Sequence, residues 1–260
     1  MTSPNSRALA GEEPFVTLLP SVDVVIPVLN EEHTLPVSMP RLVSFLEANY
    51  GGPWAIVIAD NGSTDGTIDA AQRLREAEPR VRVIHLDQRG RGRALRKAWL
   101  ESRADVVSYM DVDLSTDLDA FPKLIEAIAG GADVAIGSRL LPGSRVEGRN
   151  LKREIASRAY NLLIRLLFPR SGIADAQCGF KAARREAAMR LVPLIKDNAW
   201  FFDSELLLLA RRFGYRLAQV PVHWTDDPDS RVRIVRTAWE DVKGLLRVRF
   251  RRPAEEARGV

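Results

Sequence analysis

The chain has one cysteine and three histidines among its 260 residues. Cys178 alone can form no disulfide within the chain and leaves nothing for a cysteine-rich zinc site, and a single cysteine fits a reducing compartment. His33, His85 and His223 are scattered without the spacing of metal ligands. We therefore interpret each histidine as structural and expect neither a zinc finger nor a disulfide framework.

Long hydrophobic runs are missing as well. The longest, at 162–168 and 206–210, fall far short of the ~20 residues that cross a bilayer, and Arg165 interrupts the first of them. Residues 1–14 lack a basic start followed by an apolar stretch, so they do not resemble a secretory signal. The protein is therefore predicted to stay in the cytoplasm.

The composition allows a substantial core, because 46% of the side chains are hydrophobic. The length suits one α/β domain. We expect a disordered leader at 1–20, one domain at 21–250 and a flexible tail at 251–260.

Positive charge is unevenly distributed, although 38 basic and 34 acidic residues give a net charge of only +4. Lysine and arginine crowd three segments, at 89–97, 139–165 and 231–252. Such clusters favour phosphates on nucleotides, lipids or nucleic acids, and a solvated basic face is the alternative for any one of them.

Short β-branched apolar runs alternate with helical patterns over the first two-thirds of the chain. This alternation predicts an α/β fold, a mostly parallel sheet with helices on both faces. The predicted strands are 22–28, 55–60, 81–85, 106–111 and 133–137, and the predicted helices lie near 69–77, 94–102 and 118–129.

Polar motifs follow four of the predicted strands. Ligands of such sheets bind beyond the carboxyl ends of the strands, so the four motifs are expected to converge on one crevice. In chain order they are Asn30-Glu31, Asp60-Asn61-Gly62-Ser63, Asp111-Val112-Asp113 and Gly137-Ser138-Arg139.

From about Leu151 the pattern changes to amphipathic helices, with a second basic helix at about 234–248. Helices with an apolar stripe and a cationic face can lie in a membrane interface. Packing of the same stripes on the core is the alternative. The cationic character of both helices favours membrane contact.

Asp111 and Asp113 leave a predicted buried strand at its carboxyl end with side chains on the same side of the pleat. Two carboxylates so placed can hold Mg²⁺ or Mn²⁺, which would bridge the phosphates of a nucleotide. A solvated turn is the alternative for a bare Asp-x-Asp. The position after an apolar strand favours the metal.

Two further segments have the pattern of ligand loops. Asp60 ends a strand just before a glycine-containing turn, where its carboxylate can accept a hydrogen bond from a nucleobase or ribose. An ordinary turn is the alternative. Arg89-Gly90-Arg91-Gly92-Arg93 precedes a helix, where backbone N–H groups and guanidinium groups together favour a phosphate.

Five separated motifs stand in a recognisable order and spacing. They are Ile26-Pro27-Val28-Leu29-Asn30-Glu31, residues 60–67, Asp111-Val112-Asp113, Gly137-Ser138-Arg139 and Asp175-Ala176-Gln177-Cys178-Gly179-Phe180-Lys181. Together they resemble the family 2 inverting glycosyltransferases, and the resemblance covers about 22–249. Within that family the chain is similar to the polyprenyl- and dolichyl-phosphate sugar synthases, in particular the dolichyl-phosphate glucosyltransferase branch. The resemblance implies a GT-A fold, a UDP-sugar or GDP-mannose donor and an isoprenoid phosphate acceptor.

The same resemblance implies roles for individual residues. Pro27, Asn30, Glu31 and Asp60 match positions that hold the nucleoside. Gly62 of the turn after Asp60, with Arg91 and Arg93 of the arginine-glycine segment, is expected to contact the nucleotide from the loop patterns described above. Asp111 and Asp113 match the metal and diphosphate motif, and Arg139 lies near the phosphates. Asp175, Gln177 and Lys181 match the acceptor side, and Asp203 with Glu205 stands where relatives place an acidic pair.

The sequence departs from the family pattern at two places. Asn61 stands where many members have a second aspartate, and Asp229-Ser230-Arg231 stands where many have Gly-Ser-Lys. Arg231 is therefore an expected phosphate ligand of a loop whose pattern is altered. The family's Cys178 is expected to be a small buried thiol.

The acceptor decides the chemistry. A phosphate monoester with a second pKa of ~6 needs no general base, only positioning by cations such as Arg139, Lys181 or Arg231. A sugar hydroxyl would need a base, and Asp203 or Asp175 would be the candidate. For Asp203 the alternative is a helix N-cap.

Two other functions remain as alternatives from sequence. A sugar-nucleotide pyrophosphorylase also uses a nucleotide-binding sheet and a metal. A nucleic-acid-binding module would explain the arginines but not an acidic crevice, so we expect no nucleic acid partner. The expected partners are a nucleotide sugar, a polyprenyl phosphate, and either the inner membrane face or a membrane partner protein.

Overall fold

A computed structural model describes residues 19–148, 150–225 and 234–251 of the protein. Within these ranges the strands are β1 (Val22–Val28), β2 (Trp54–Asp60), β3 (Val81–His85), β4 (Val106–Met110), β5 (Val134–Ser138), β6 (Arg145–Glu147), β7 (Phe180–Arg184), β8 (Leu217–Pro221) and β9 (His223–Thr225). The helices are α1 (Leu35–Asn49), α2 (Thr67–Ala77), α3 (Arg91–Glu101), α4 (Ala120–Ala129), α5 (Leu151–Leu167), α6 (Arg185–Leu191), α7 (Phe202–Arg212) and α8 (Ile234–Phe250).

The main sheet of the described residues has seven strands in the order β3-β2-β1-β4-β7-β5-β8. All neighbours are parallel except at β7, which runs antiparallel to both β4 and β5. A separate pair, β6 and β9, is parallel. The predicted mostly parallel α/β sheet is therefore confirmed, with β7 as the exception that sequence alternation does not reveal.

Helices cover both faces of the sheet because side chains alternate along each strand. Val24 and Ile26 of β1 face the cluster that holds α1, α2 and α4. Val25, between them, faces the cluster that holds α3, α5, α6, α7 and α8. Two apolar layers thus sandwich the sheet, as predicted. The inner strands β1, β4 and β5 are buried throughout, whereas the edge strands β3 and β8 have one buried residue each.

Helix α1 is absent from the prediction, and it contains two prolines, Pro36 and Pro40, a residue type that usually disfavours a helix. Pro36 falls in the first turn, where a missing N–H costs nothing. Pro40 lies inside the helix and removes one hydrogen bond. The residues that pack on the sheet recur at helical spacing and are Leu35, Met39, Leu42 and Leu46, all fully buried. Their burial outweighs the unfavourable proline.

The two C-terminal amphipathic helices are both present, as α5 and α8, and they pack against each other. Tyr160 and Ile164 of α5, with Leu245 and Val248 of α8, face the core. No helix in the part of the chain described here is long and apolar enough to cross a membrane. The predicted leader and tail lie almost wholly outside the described residues.

Candidate active site

The loops that follow β1 and β2 are tied together at one edge of the sheet. Asn30 Oδ1 accepts a hydrogen bond from the Thr64 N–H at 2.8 Å. The Glu31 N–H donates to Thr67 Oγ1 at 2.7 Å. The expected convergence of the strand ends is therefore present on this side of the crevice.

Two of the five residues expected on the nucleoside side are buried. Pro27 packs in the core within β1, which differs from its implied role as a ligand contact. Asp60 is also buried, with Oδ2 at 2.7 Å from His85 Nδ1 and Oδ1 accepting from the Ser63 N–H. The positions that stay partly exposed are Asn30, Glu31 and Gly62. A nucleoside on this side would meet these three residues first.

Asn61, at one of the two expected departures from the family pattern, forms hydrogen bonds with both ends of its side-chain amide. Its Nδ2 donates to the Val28 carbonyl at 2.8 Å, and its Oδ1 accepts from the Gly90 N–H at 3.2 Å. An ionised carboxylate has no hydrogen to donate, so aspartate could not make the first bond. The substitution therefore links the ends of β1 and β2 to the start of α3.

The arginine-glycine segment before α3 holds a neighbouring loop. The Gly92 and Arg93 N–H groups donate to the carbonyls of Ala199 and Asn198, at 3.2 and 3.1 Å. A Cβ on Gly90, whose φ is +147°, would lie 2.4 Å from the Asn198 carbonyl oxygen. These N–H groups are thus committed to the loop before α7 and are not offered to a phosphate, contrary to the expectation from sequence.

Arg91 joins two carboxylates that lie far apart in the chain. Its Nη2 donates to Asp111 Oδ1 at 2.6 Å, and its Nη1 donates to Asp203 Oδ2 at 2.7 Å. The Arg91 side chain is only 10% exposed. Burial disfavours its charge, but the two carboxylates outweigh burial and raise the pKa of Arg91 well above its usual value. The guanidinium is therefore a fixed cation of the site.

Lys181 and Tyr109 complete this cluster on the inner side. The Tyr109 hydroxyl donates to Asp203 Oδ1, and Lys181 Nζ donates to the Tyr109 hydroxyl at 3.0 Å. Lys181 is fully buried and lies 3.5 Å from the same Asp203 oxygen. Tyr109 was not predicted; the only signal in sequence is a hydroxyl in a buried strand, which needs a partner.

Asp203 is consequently an ion-pair residue. Burial alone would raise its pKa, but Lys181 and then Arg91 outweigh burial and hold the pKa of Asp203 below its usual value. The N-cap alternative is wrong, because α7 begins at Phe202 and Phe201 stands at the cap without a side-chain bond. Asp203 lies in the first turn with its side chain turned into the cluster.

Glu205 does not share the site with Asp203. It is fully buried and accepts from Arg247 of α8 at 2.7 Å and from the Asp197 N–H at 3.0 Å. The two members of the acidic pair implied by the family resemblance therefore have different partners. Asp203 lies in the charged cluster at the crevice, and Glu205 binds Arg247 of α8.

Arg139 and Asp175 form a bidentate pair. Arg139 Nε and Nη2 donate to the two Asp175 oxygens at 2.8 and 3.0 Å, and the Arg139 backbone N–H adds a third bond. Asp175 is fully buried; burial opposes its charge, but Arg139 keeps the pKa of Asp175 below its usual value. The centroid of the Trp224 ring lies 5.3 Å from the guanidinium carbon of Arg139.

Gln177 connects the same loop to α8. Its Nε2 donates to Asp241 Oδ2 at 2.9 Å. Burial raises the pKa of Asp241 to about 7. Cys178 beside it is fully buried, and burial raises its thiol pKa to about 12, which confirms the expected inert thiol.

Asp111 and Asp113 follow β4 as predicted. The Asp111 side chain is 42% exposed, and Asp113 Oδ1 accepts from the Ser115 N–H at 3.0 Å. Within the described residues no three His, Cys, Asp or Glu side chains group to hold a metal. Two carboxylates fit Mg²⁺ or Mn²⁺ all the same, because Mg²⁺ usually takes only one or two from the protein and completes its shell with water and substrate phosphate.

Gly179 explains how Asp111 reaches its position. A Cβ at Gly179 would lie 1.8 Å from Asp111 Oδ2, closer than any side chain can approach. The glycine is therefore required by space for the carboxylate. Gly179 belongs to the motif at 175–181, but its position in that motif predicts no role for it.

Arg231 and the altered loop around it lie outside the described residues. Most of the other predicted site residues lie at one edge of the sheet, as three neighbouring groups. These are the nucleoside side with Asn30, Glu31, Asp60 and Gly62, the charged cluster with Arg91, Asp111, Lys181 and Asp203, and the pair of Arg139 with Asp175 next to Gln177.

Comparison with solved structures supports the GT-A fold. Glucosyl-3-phosphoglycerate synthase from Mycobacterium tuberculosis in complex with UDP superposes with a TM-score of 0.68 at 22% identity, covering 88% of this chain and 80% of that chain. The same enzyme with Mn²⁺, UDP-glucose and phosphoglyceric acid gives a TM-score of 0.68 at 20% identity, covering 88% and 79%.

Comparison with curated sequences finds nearer relatives. The glycosyltransferase AglD of Haloferax volcanii is 43% identical over 230 residues, which cover 86% of this chain but 35% of AglD. The dolichyl-phosphate beta-glucosyltransferase of Saccharomyces cerevisiae is 30% identical, over 88% of this chain and 74% of that protein. The human enzyme of the same name is 31% identical, over 88% and 75%.

A family model described as glycosyl transferase family 2 matches residues 23–192, more than half of the chain and the part that carries the strands β1 to β7. The predicted glycosyltransferase is thereby confirmed at the level of the family. With relatives at 30% identity or more over most of its length, this chain belongs to glycosyl transferase family 2.

Proposed function

We propose that the chain transfers a sugar from a nucleotide diphosphate sugar to a polyprenyl phosphate, with inversion at the anomeric carbon. Two relatives are named for transfer to dolichyl phosphate, and we extend that class of acceptor to this chain. A UDP-sugar is favoured over GDP-mannose as the donor, and the UDP complexes of the structural neighbours agree with that choice.

The state of Asp203 carries this proposal. A hydroxyl acceptor needs a general base whose pKa lies near the working pH. Both oxygens of Asp203 are engaged by cations and by Tyr109, and its pKa is held below the usual value. Asp175, the other candidate base, is likewise saturated by Arg139. A phosphate monoester needs no base, so the site suits an acceptor that arrives ionised.

The reaction then requires positioning and charge. An oxygen of the acceptor phosphate attacks the anomeric carbon while the bond to the nucleotide diphosphate breaks. Asp111 and Asp113 would hold Mg²⁺ or Mn²⁺, whose charge would stabilise the leaving diphosphate. Arg139 is proposed to approach the acceptor phosphate, and Arg91 holds Asp111 in place.

The other functions that the sequence left open are not equally well supported. Membership of the transferase family argues against a sugar-nucleotide pyrophosphorylase and against a nucleic-acid-binding module. Transfer to a sugar hydroxyl remains the main alternative, and the pH dependence of the rate distinguishes it.

We predict that incubation with UDP-glucose, undecaprenyl phosphate and Mn²⁺ yields a lipid-phosphate-linked glucose, at a rate that falls as the pH drops through about 6. The fall follows protonation of the acceptor phosphate, whose second pKa is ~6. Asp203 acting as the base would move the fall below about pH 4, because its folded pKa is lower than the usual ~3.9. Transfer to a soluble sugar hydroxyl without transfer to the lipid phosphate would contradict the proposal.

Wild-type protein is the right material for this test. Asp203→Asn would leave Arg91 and Lys181 without their shared anion, and breaking a buried pair costs about 3–5 kcal/mol. A loss of activity in that variant would therefore not identify a base.

The proposed acceptor lies in a membrane, and α5 with α8 offers a surface that suits one. Exposed apolar residues recur along both helices, flanked by exposed basic side chains. The apolar members are Leu151, Ile155, Leu162 and Leu166 of α5 and Trp239, Leu246 and Phe250 of α8. We extend the proposal to peripheral binding at the inner face of the membrane, directly through this surface or through a membrane partner protein.

We predict that Leu162→Glu/Leu166→Glu abolishes co-sedimentation with anionic vesicles at low salt. The two leucines are 54% and 71% exposed, so the fold should tolerate the change. Each basic residue near an anionic surface contributes ~1 kcal/mol of binding free energy. At physiological ionic strength salt largely screens surface charges that are more than ~8 Å apart. Wild-type sedimentation should accordingly weaken as salt is added.

Val37→Glu is the matched control, because Val37 is an exposed residue of α1 on the opposite face of the sheet. Absent sedimentation of the wild type at low salt, or equal sedimentation of the double variant, would leave recruitment by a partner protein as the alternative.

A further inference from the structure

Trp200 stands at the edge of the charged cluster and is 47% exposed. The centroid of its ring lies 5.3 Å from the guanidinium carbon of Arg91. The same guanidinium donates to Asp111 at 2.6 Å. The indole is therefore separated by a single side chain from the carboxylate that is proposed to serve the donor diphosphate.

The loop that carries Trp200 is held firmly. Asp197 Oδ1 accepts from the N–H groups of Ala199 and Phe202 at 2.7 and 3.1 Å. Two further bonds join the loop to the start of α3, through the Asn198 and Ala199 carbonyls. Trp200 is thus an exposed aromatic residue on a loop that is held in place. A ligand that binds to it does not have to order the loop first, so less entropy is lost on binding.

Burial does not account for this tryptophan. The residues that follow it, Phe201 and Phe202, are buried, whereas Trp200 projects beside a charged crevice. Aromatic rings in ligand sites supply flat contact area next to a few polar groups that fix orientation. A sugar ring offers the matching surface, an apolar face of C–H groups bordered by hydroxyls. In a nucleotide diphosphate sugar that ring is attached directly to the diphosphate.

We propose that Trp200 is the stacking platform for the sugar ring of the donor and a determinant of donor specificity. This inference rests on the proposed function. The ring recognises the transferred sugar, while Arg91 beneath it orients Asp111 on the diphosphate side.

Binding of the complete donor and of its sugar-free counterpart separates this role from others. UDP-glucose and UDP would each be titrated into wild type, Trp200→Ala and Trp200→Phe, and the GDP-mannose and GDP pair would be measured in the same way. We expect Trp200→Ala to weaken the nucleotide sugar about 3- to 10-fold, the size of an aromatic contact, and to leave the nucleoside diphosphate unchanged. Trp200→Phe should keep most of the affinity.

Trp54→Ala is the matched control. Trp54 also stacks with an arginine, Arg80 at 3.9 Å, but it begins β2 at the opposite end of the sheet from Asp60. This variant should bind both ligands as wild type does. Thermal unfolding of each variant confirms that the protein is folded.

Three results for Trp200→Ala would overturn the stacking role while leaving the proposed function intact. The first is equal weakening of UDP-glucose and UDP, which would mean that Trp200 only supports Arg91. The others are unchanged binding of both ligands and a change confined to the KM for the lipid phosphate. Wild-type protein that binds neither UDP-glucose nor GDP-mannose would instead overturn the proposed function, and the platform with it.

Discussion

Asp113→Ala is expected to lower turnover by a factor on the order of 10²–10³ and to remove the dependence of donor binding on Mn²⁺. The carboxylate is half-buried at the crevice, following the buried strand β4. Its removal would take away one of the two carboxylates that are proposed to hold the metal. The fold should persist, because the residue is not part of the hydrophobic core.

Turnover and the Mn²⁺ dependence of UDP-glucose affinity are the measurements. Asp119→Ala is the control, since Asp119 is an exposed acid on the same loop, immediately before α4. Near-wild-type turnover of Asp113→Ala at saturating donor would refute the metal role of this residue, and an equal loss in Asp119→Ala would show that the loop itself is at fault.

Arg139→Ala is expected to abolish transfer and to lower the free energy of unfolding by about 3–5 kcal/mol. The second effect arises because Asp175 is fully buried and would lose the guanidinium that neutralises it. Stability is measured by urea unfolding and transfer by formation of the lipid-linked sugar.

The double variant Arg139→Ala/Asp175→Asn separates the two effects. A neutral amide in place of the buried carboxylate should restore much of the stability, because removing both members of an ion pair costs less than removing one. If Arg139 contacts the acceptor phosphate, transfer stays absent in this refolded variant. If the double variant regains both stability and transfer, Arg139 has a structural role. If Arg139→Ala has the same free energy of unfolding as the wild type, the ion pair does not stabilise the fold.

Several elements could be predicted from sequence because their causes are local. The bounds of β1 and β3 follow from apolar runs, and α5 and α8 follow from amphipathic periodicity. The placement of Asp111 and Asp113 beyond β4 needs only the rule that ligands lie at the carboxyl ends of parallel strands. Helix α1 is the exception, since its prolines argue locally against a helix that burial stabilises.

The sequence by itself determined the chemical inventory of the protein: the motifs at the strand ends, the excess of arginine, and the family to which they belong. Only the tertiary structure decided how the charges are paired. Arg91 and Asp203 are 112 positions apart, and Glu205, two residues from Asp203, pairs with α8 instead. Successive helical residues point in different directions, so near neighbours in sequence reach different partners. Pairing between distant segments depends on how strands and helices pack, and no local pattern encodes it.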